Sequence, residues 1–385
     1  MKGPVGGRFS PSTASLRLTR PSRILRCKFS REERLAPHSG SLLNPEVKNI
    51  LLVRTDRIGD VILSLPMLPL LKRRFPGAAI SVLVRQYTRE LVEHHSCVDE
   101  VLIYENEGSI ASLWSMLLEI RARKFDAAII PYPRFRPTLI LFLAGIRIRV
   151  GSGYRWYSFL FNRRIYEHRK DARRHEVEYN LNLLSVLGVD PASSPEFEIR
   201  AQPSAEAAID SLLRTKGIGP GDRFAVLHPG SGGSARDWPA ANFSKLGNRI
   251  SSGLGLKLVV TGGKGEEVLA NLTAGGIVPH AISFAGILSL GEMAALLRRA
   301  SVFVSNSTGP MHIAAVVGTP VVAFFPPILQ CSPVRWGPYT KKKRVFVADN
   351  GTCPLCEGGP CRSNVCMEQI DVQKVFEATK DLINE

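Results

Sequence analysis

Short apolar runs recur along the chain and alternate with segments whose apolar residues have helical spacing. In the first half these runs occupy residues 49–54, 79–85, 98–104, 127–131 and 148–150. In the second half they occupy residues 224–228, 256–261, 282–284, 302–305 and 321–325. A short run without polar alternation is typical of a strand buried on both faces. Strands that alternate with helices predict βαβ units and parallel sheets.

The alternation stops once, at residues 188–203, which contain three prolines and a pair of serines. We therefore predict an α/β protein of two doubly wound, Rossmann-like domains, residues 47–195 and 196–368. A basic arm, residues 1–46, precedes them, and an amphipathic helix over residues 369–385 is expected to pack back across both domains. Ligands bind such sheets at the carboxyl ends of their strands, so the cleft between the domains is the predicted site.

The first candidate site is the polar turn at residues 54–60 (RTDRIGD), between the first strand and a helix predicted over residues 60–75. Gly59 allows a tight turn, and Asp60 lies at the predicted start of the helix. Asp is a good helix cap, and the residues alone favour that role. A capping carboxylate is ionised at neutral pH, which also suits a general base. Asp56 is a second candidate.

A glycine-rich loop, residues 228–233 (HPGSGG), follows the first strand of the second domain. Backbone N–H groups of such a loop can approach a phosphate, which makes Ser231 and Gly232 candidates. Arg236 lies within reach, and a guanidinium pairs well with phosphate oxygens. The loop lacks the spacing of the dinucleotide-binding fingerprint. The adjacent Trp238 is expected to anchor the following helix.

The strongest candidate is the segment 305–312 (SNSTGPMH), which follows a strand. Ser307 or Thr308 would cap a helix that has Pro310 in its first turn, and Gly309 would lie at its start. The free N–H groups and positive dipole of that helix end would bind a diphosphate without a metal. His312, one turn further on, could face either the ligand or the core.

Glu266 occupies a similar place after the strand at residues 256–261, in the sequence TGGKGEE. It could hold a ribose hydroxyl, as acidic residues do in nucleotide-binding folds. Alternatively it is an acidic residue in the first turn of a helix, where the dipole favours it. The residues slightly favour the second role.

Charge adds the prediction of an anionic partner. The chain has 385 residues and a net charge of +16, with an ordinary 44% of hydrophobic residues and 22% of charged ones. That composition excludes a mostly disordered, collagen-like or coiled-coil protein. The excess lies in two segments, residues 1–40 (net +7) and residues 134–174 (net +9). Nucleic acid, an acidic membrane and a phosphorylated substrate are all compatible with so large a charge.

Neither a signal-peptide core nor a membrane span is apparent, so we predict an intracellular protein. The arm is expected to be disordered; a transit or membrane-surface segment is the alternative. The apolar run at residues 313–329 is broken by glycine and prolines, and it predicts a helix, a turn and a strand.

Four cysteines are spaced like the ligands of a small zinc knuckle with Cys in place of its usual His: Cys353, Cys356, Cys361 and Cys366. A structural metal or redox cluster is one hypothesis, and free thiols on a loop are the favoured alternative. Aromatic stacking platforms, which single-strand binding requires, are missing between the cysteines. A nucleic-acid-binding module built on this loop, the arm and residues 341–344 (KKKR) is therefore disfavoured, and residues 341–344 are expected to form a solvated loop.

Over residues 48–384 the chain resembles the heptosyltransferases of glycosyltransferase family 9. The resemblance depends on ILLVRTDRIGDVILSLPMLPLLK at residues 50–72, HPGSGGSARDWP at 228–239, NSTGPMHIAAVVGTPVVAFF at 306–325 and PVRWGP at 333–338. It implies a GT-B fold and an inverting, metal-independent transfer of heptose from ADP-heptose to the inner core of lipopolysaccharide. No cofactor is expected besides this donor.

The resemblance also assigns roles to residues. Asp60 matches the general base of the family, so the catalytic role overtakes the simple cap. Arg236 stands where the family has a lysine that contacts the donor phosphates, and Thr308, Gly309 and His312 carry over as donor-binding residues. Ser307 stands where many members have Asp, which leaves another nucleotide-sugar donor as the alternative.

The expected partners are an ADP-sugar and an acidic lipopolysaccharide precursor. The precursor would be bound by Arg57, Arg163 and Arg164, so that the basic segment 134–174 serves the acceptor. The protein is expected to be a cytoplasmic monomer that contacts the inner face of the inner membrane peripherally and binds no nucleic acid.

Overall fold

Two parallel six-stranded sheets form the core of the computed structural model, which describes residues 47–105, 109–192, 194–349 and 365–385. The strand order is β3-β2-β1-β4-β5-β6 in the first sheet and β12-β11-β10-β7-β8-β9 in the second. The strands of the first sheet are β1 (Asn49–Val53), β2 (Ala79–Val84), β3 (Glu100–Ile103), β4 (Ala127–Ile129), β5 (Ile148–Ser152) and β6 (Arg163–Ile165). Those of the second are β7 (Phe224–His228), β8 (Lys257–Val260), β9 (Ile282–Ser283), β10 (Val302–Asn306), β11 (Val321–Phe325) and β12 (Lys343–Val347).

Helices connect the strands in both halves. In the first half the α-helices are α1 (Ile58–Ile62), α2 (Met67–Arg74), α3 (Ile110–Ala122), α4 (Phe135–Leu143) and α5 (Glu176–Asn182). In the second half they are α6 (Pro203–Thr215), α7 (Ala240–Leu254), α8 (Glu267–Gly275), α9 (Leu290–Arg299), α10 (Gly309–Val317), α11 (Pro333–Trp336), α12 (Val365–Glu368) and α13 (Val372–Asn384). The predicted α/β class with two doubly wound sheets is confirmed.

All ten strands predicted from apolar runs are present, and two further strands were missed. β6 is a three-residue edge strand with two exposed arginines and one half-buried isoleucine, so it gives no apolar signal. β12 begins at Lys343 and pairs in parallel with β11. The expectation of a solvated loop over residues 341–344 is therefore wrong for Lys343 and Arg344, because the basic run continues into a half-buried edge strand.

The helix predicted over residues 60–75 is in fact two helices, α1 and α2, separated by a turn. Pro66 precedes α2 with a φ of −62°. Proline has no N–H group to donate to the preceding turn and disfavours helical geometry in the residue before it. The apolar spacing continues through the turn, and for that reason it suggested one helix.

The C-terminal helix α13 packs mainly on α7 and β12, which both belong to the second half. Its apolar positions Val375 and Leu382 are buried in a hydrophobic cluster that also contains Phe324 of β11. This packing differs from the expectation that the helix would lie across both domains. The boundaries predicted at residues 46 and 195 stay predictions.

The two halves meet where α1 and α10 begin. A Cβ atom added at Gly309 would lie 2.7 Å from Cβ of Ile58. Both helices start at the carboxyl ends of their sheets, after β1 and β10. This contact between the halves places Asp60 in one cavity with Thr308, Gly309 and His312.

Candidate active site

Two neighbouring cavities open at the facing carboxyl edges of the sheets. A smaller one, of about 240 Å³, is lined among others by Ser307, Thr308, Gly309 and His312. A larger one, of about 750 Å³, lies mainly on the first half and is lined among others by Asp56, Tyr132, Arg134, Tyr154, Arg155 and Lys170. Arg57, Asp60 and Trp336 line both cavities. The arrangement places one carboxylate where two bound molecules would meet.

Asp60 is the third residue of α1. Arg57 precedes the helix, and its backbone N–H donates to Oδ2 of Asp60 at 3.4 Å. Because α1 starts two residues earlier than predicted, Asp60 is not the N-cap residue, but its carboxylate still caps the helix through this bond. Oδ1 of Asp60 accepts a hydrogen bond from Nη2 of Arg54 at 2.5 Å. The Asp60 side chain keeps 21% of its surface exposed, so a substrate hydroxyl can reach it.

Arg54, at the end of β1, is buried among three carboxylates. Its guanidinium lies 2.5 Å from Asp60, 3.6 Å from Asp56 and 3.7 Å from Glu176. Burial alone would lower the pKa of Arg54, but the charges of Asp60, Asp56 and Glu176 raise it above its ordinary value. The arginine is thus a permanent cation behind Asp60.

Glu176 starts α5 and connects the two halves. Its carboxylate accepts hydrogen bonds from Nη1 of Arg169 and, at 2.9 Å, from Nε of Arg335 in α11. Burial would raise the pKa of Glu176, but Arg169, Arg54 and Arg335 together hold it below its ordinary value. This role has no signal in the sequence, because nothing in α5 distinguishes Glu176 from an exposed helical acid.

The glycine-rich loop of the second half is fixed by Asn306, the last residue of β10. The Asn306 amide donates from Nδ2 to the Pro229 carbonyl at 2.6 Å and accepts at Oδ1 from the Trp238 N–H at 2.8 Å. Trp238 itself is fully buried, and its ring packs against Phe243 of α7. Its predicted role as an anchor of that helix is confirmed.

Glu266 joins the loop to the next glycine turn. Its two carboxylate oxygens accept hydrogen bonds from the N–H groups of Gly232 and Gly263, each at 2.8 Å. A Cβ atom at Gly230 would lie 2.1 Å from Oε1 of Glu266, so a larger residue there would displace the Glu266 carboxylate. Ser231 is buried, and its hydroxyl donates to the Ala235 carbonyl at 3.1 Å. Glu266 thus stabilises the glycine-rich loop by hydrogen bonds to two backbone N–H groups.

The start of α10 has the predicted form, with Thr308 as its N-cap and Pro310 in its first turn. The Thr308 side chain makes no capping hydrogen bond, so the first N–H groups of the nine-residue helix remain open to a ligand. Ser234 of the glycine-rich loop donates to the Ser307 carbonyl at 3.3 Å and closes one side of this helix end.

His312 lies under the turn at Gly59. A Cβ atom at Gly59 would be 2.7 Å from Cδ2 of the imidazole. Burial, followed by the nearby charge of His175, lowers the pKa of His312 to about 3. The ring is thus a neutral group of the second half that both lines the smaller cavity and supports the glycine turn of the first half.

The predicted cationic residues are distributed unevenly. Arg57 lines both cavities, whereas Arg163 and Arg164 are exposed on β6 and do not line the larger cavity. Arg236 is half-buried beside the glycine-rich loop, with Nη1 at 4.0 Å from Sγ of Cys366. Other cationic side chains line the larger cavity instead: Arg134, Arg155, Arg169, Lys170 and Arg335. The first four were predicted from the sequence only as members of the basic segment 134–174.

The proposed cysteine cluster lies largely outside the described residues, which include only Cys366 of its four members. Cys366 is buried in α12, in the hydrophobic cluster that contains Phe324 and Leu382. Within the described ranges, no group of three or more His, Cys, Asp or Glu side chains could hold a metal ion. In the same part of the chain, no helix is long and apolar enough to cross a bilayer.

Two parallel α/β domains that face each other, with a carboxylate opposite an open helix N-terminus, define the GT-B class of glycosyltransferases. The sequence model of glycosyltransferase family 9 (heptosyltransferase) matches residues 113–366, well over half of the chain. The chain therefore belongs to glycosyltransferase family 9 and is a glycosyltransferase.

Individual relatives agree with this assignment. A putative glycosyltransferase of Haemophilus influenzae is 27% identical over 76% of this chain and 86% of its own length. Lipopolysaccharide heptosyltransferase 3 of Escherichia coli K12 is 24% identical over 85% of this chain and 96% of its own length. The solved structure of E. coli ADP-heptose lipopolysaccharide heptosyltransferase II superposes with a TM-score of 0.71, at 20% identity, and covers 87% of this chain and 98% of that one.

Proposed function

We propose that this glycosyltransferase moves heptose from ADP-heptose to the inner core of lipopolysaccharide by a single inverting displacement without a catalytic metal. The observation that carries the proposal is the position of Asp60, whose carboxylate lines both the smaller and the larger cavity. A base that serves two substrates has to lie between them. The names of the relatives supply the sugar and the acceptor.

The smaller cavity suits the donor. The diphosphate would lie at the start of α10, where the N–H groups after Thr308 and the helix dipole favour negative charge. Arg236, close to the glycine-rich loop, would add a second positive contact. Glu266 is the proposed partner of the ribose, provided that it exchanges one of its two backbone hydrogen bonds for a ribose hydroxyl.

The larger cavity suits an anionic acceptor, because arginine and lysine side chains surround it. Arg134 and Arg155 are exposed at its edge, while Arg57 reaches the boundary with the smaller cavity. Guanidinium groups form bidentate hydrogen bonds with carboxylates and phosphates. An acidic sugar chain would be held with a hydroxyl near Asp60.

In the proposed reaction Asp60 removes a proton from an acceptor hydroxyl while that oxygen attacks the anomeric carbon. The bond from that carbon to the β-phosphate oxygen breaks on the opposite face, so the configuration inverts. The negative charge that develops on ADP is stabilised by the start of α10 and by Arg236. Arg54 compensates the charge of Asp60 before the reaction and keeps the carboxylate oriented.

The decisive experiment compares Asp60→Asn with Asp56→Asn. Asp56 also contacts Arg54 but lines only the larger cavity. Loss of a general base costs about 10²–10⁴ in rate, so Asp60→Asn should lose kcat on that scale while ADP binding in calorimetry stays the same. Equal losses in the two variants, or full turnover by Asp60→Asn, would contradict the assignment of Asp60 as the base.

Activity should also survive treatment with EDTA. A loss of activity that magnesium restores would refute the metal-free scheme.

The donor sugar has its own test, because Ser307 stands beside the open helix end. A panel of nucleotide sugars should show tightest binding and fastest transfer with ADP-heptose. Preference for a hexose on another nucleoside diphosphate would replace the heptose assignment and leave the fold and base unchanged.

We propose that the enzyme works as a monomer at the cytoplasmic face of the inner membrane.

A further inference from the structure

An apolar stripe lies exposed along α3. Ile110, Trp114 and Leu118 have 74%, 59% and 63% of their surface exposed. Residues four apart lie on the same face of a helix, so the three side chains form one continuous stripe. A neighbouring face of α3 carries Leu117 and Ile120 into the core of the first half.

The stripe continues onto α4 and the turn that follows β5. α4 packs beside α3, and the short helix Ser158–Leu160 packs on α4. Phe142 and Leu143 of α4 are exposed, and Phe135 at the start of α4 stacks on Trp156 with ring centroids 4.9 Å apart. We define the exposed side chains of this surface as the apolar face: Ile110, Trp114, Leu118, Phe135, Phe142, Leu143, Trp156 and Phe159.

Positive charge accompanies the apolar face. Arg149 lies over the ring of Phe142 at 5.2 Å, and the exposed Arg147 precedes it by two residues. Arg163 and Arg164, which do not line the larger cavity, are exposed on the neighbouring strand β6. All four belong to the segment 134–174 with its net charge of +9. Exposed apolar side chains in a basic segment match the interface of an anionic bilayer.

The apolar face borders the mouth of the larger cavity. Tyr154 and Arg155 line that cavity, and Trp156, the next residue, is 73% exposed on the apolar face. Tyr132 also lines the cavity, with Arg155 over its ring at 5.3 Å. Trp and Tyr side chains are enriched where proteins meet the headgroup region of membranes. A lipid surface in contact with Trp156 would therefore lie next to the opening that leads to Asp60.

We propose that the apolar face docks on an anionic lipid bilayer, with Trp156 and Phe159 in the headgroup region. This inference deepens the proposed function, because it brings the larger cavity to a lipid-anchored acceptor. A second copy of the chain fits the face less well. A symmetric dimer would place the same arginine-rich surfaces against each other, and like charges across an interface are unfavourable.

The test is sedimentation of the full chain with vesicles, without donor or acceptor. One set of vesicles contains phosphatidylglycerol and phosphatidylethanolamine, and the other contains phosphatidylcholine only. Wild type should bind the anionic vesicles at least tenfold more tightly. The double variant Trp156→Ser/Phe159→Ser should lose about tenfold or more of that affinity.

The matched control is Val268→Ser/Leu272→Ser, which removes two similarly exposed apolar side chains from α8 in the second half. It should bind vesicles like wild type. Residues 1–40 carry positive charge in all three proteins, so their attraction to the vesicles cancels in the comparison. Equal binding by all three would overturn the proposal. A wild type that dimerises, with a monomeric Trp156→Ser/Phe159→Ser variant, would assign the face to a second copy instead.

Kinetics separate this proposal from the proposed function. The Trp156→Ser/Phe159→Ser variant should lose kcat/KM with an acceptor embedded in vesicles and keep it with a water-soluble, delipidated acceptor. Equal losses on both acceptors would show a general structural defect and refute the docking role. If the wild type binds anionic vesicles but transfers no heptose, the proposed function fails while the docking surface stands.

Discussion

Replacing Glu176 by Gln tests the buried charge network that lies behind Asp60. The change keeps the shape of the side chain and removes its charge. Three arginines then remain around an uncharged amide: Arg54, Arg169 and Arg335. The Glu176 side chain is 1% exposed, so water cannot replace the lost carboxylate.

The expected loss of stability is large. Removing one partner of a buried ion pair costs about 3–5 kcal/mol, because the remaining charge is left uncompensated. Domains are stable by only about 5–15 kcal/mol, so urea denaturation should show a clear drop for Glu176→Gln. Glu178→Gln, two residues along the same helix at an exposed position, is the matched control and should change the free energy of unfolding by less than about 0.5 kcal/mol.

The difference between wild type and Glu176→Gln should also depend on pH in a defined direction. Arg169, Arg54 and Arg335 hold the pKa of Glu176 below its ordinary value of 4.5, against the effect of burial. A carboxylate with a depressed pKa stabilises the folded state above its ordinary pKa, and this stabilisation is lost as the pH falls through the folded value. The difference should therefore be constant from pH 8 to pH 5 and shrink below about pH 4.5. A difference that is absent at neutral pH, or that does not change in acid, would refute this account of the network.

Three further predictions concern the meeting point of the two halves. Gly59→Ala should lower kcat/KM and stability, because its Cβ would lie 2.7 Å from the His312 ring, whereas Gly77→Ala, with open space around it, should be neutral in the same assays. Arg236→Ala should weaken ADP binding roughly 10- to 150-fold in calorimetry, because a charged hydrogen bond is worth about 1.5–3 kcal/mol. Arg236→Lys should recover part of that affinity. Unchanged affinity in Arg236→Ala would show that Arg236 does not bind the donor. Burial lowers the pKa of His312 to about 3, whereas an unfolded histidine titrates near 6.5, so stability should fall as the pH drops below about 6.5, by about 2 kcal/mol at pH 5. His312→Gln should remove that part of the fall in urea titrations at pH 7.5 and pH 5, and an identical slope in the variant would contradict a neutral His312.

The sequence determined the architecture because its signal is local. Apolar runs such as residues 321–325, which form β11 from Val321 to Phe325, identify strands without reference to any partner. The start of α10 was equally readable, since Thr308 and Pro310 stand at positions whose backbone preferences define a helix N-terminus. The edge strands β6 and β12 gave no such signal, because their residues are exposed or only half-buried and both strands carry basic residues.

The tertiary structure decided which of the charged residues act together. Arg54, Glu176 and Arg335 are separated by more than a hundred residues at each step, and only the tertiary packing makes them one buried network. The same packing brought Gly59 against His312 and placed Asp60 between two cavities. It also distinguished Arg155 at the cavity from Arg163 and Arg164 outside it. Local patterns fix where helices and strands form, whereas burial and charge compensation depend on distances between elements, and those exist only once the two sheets face each other.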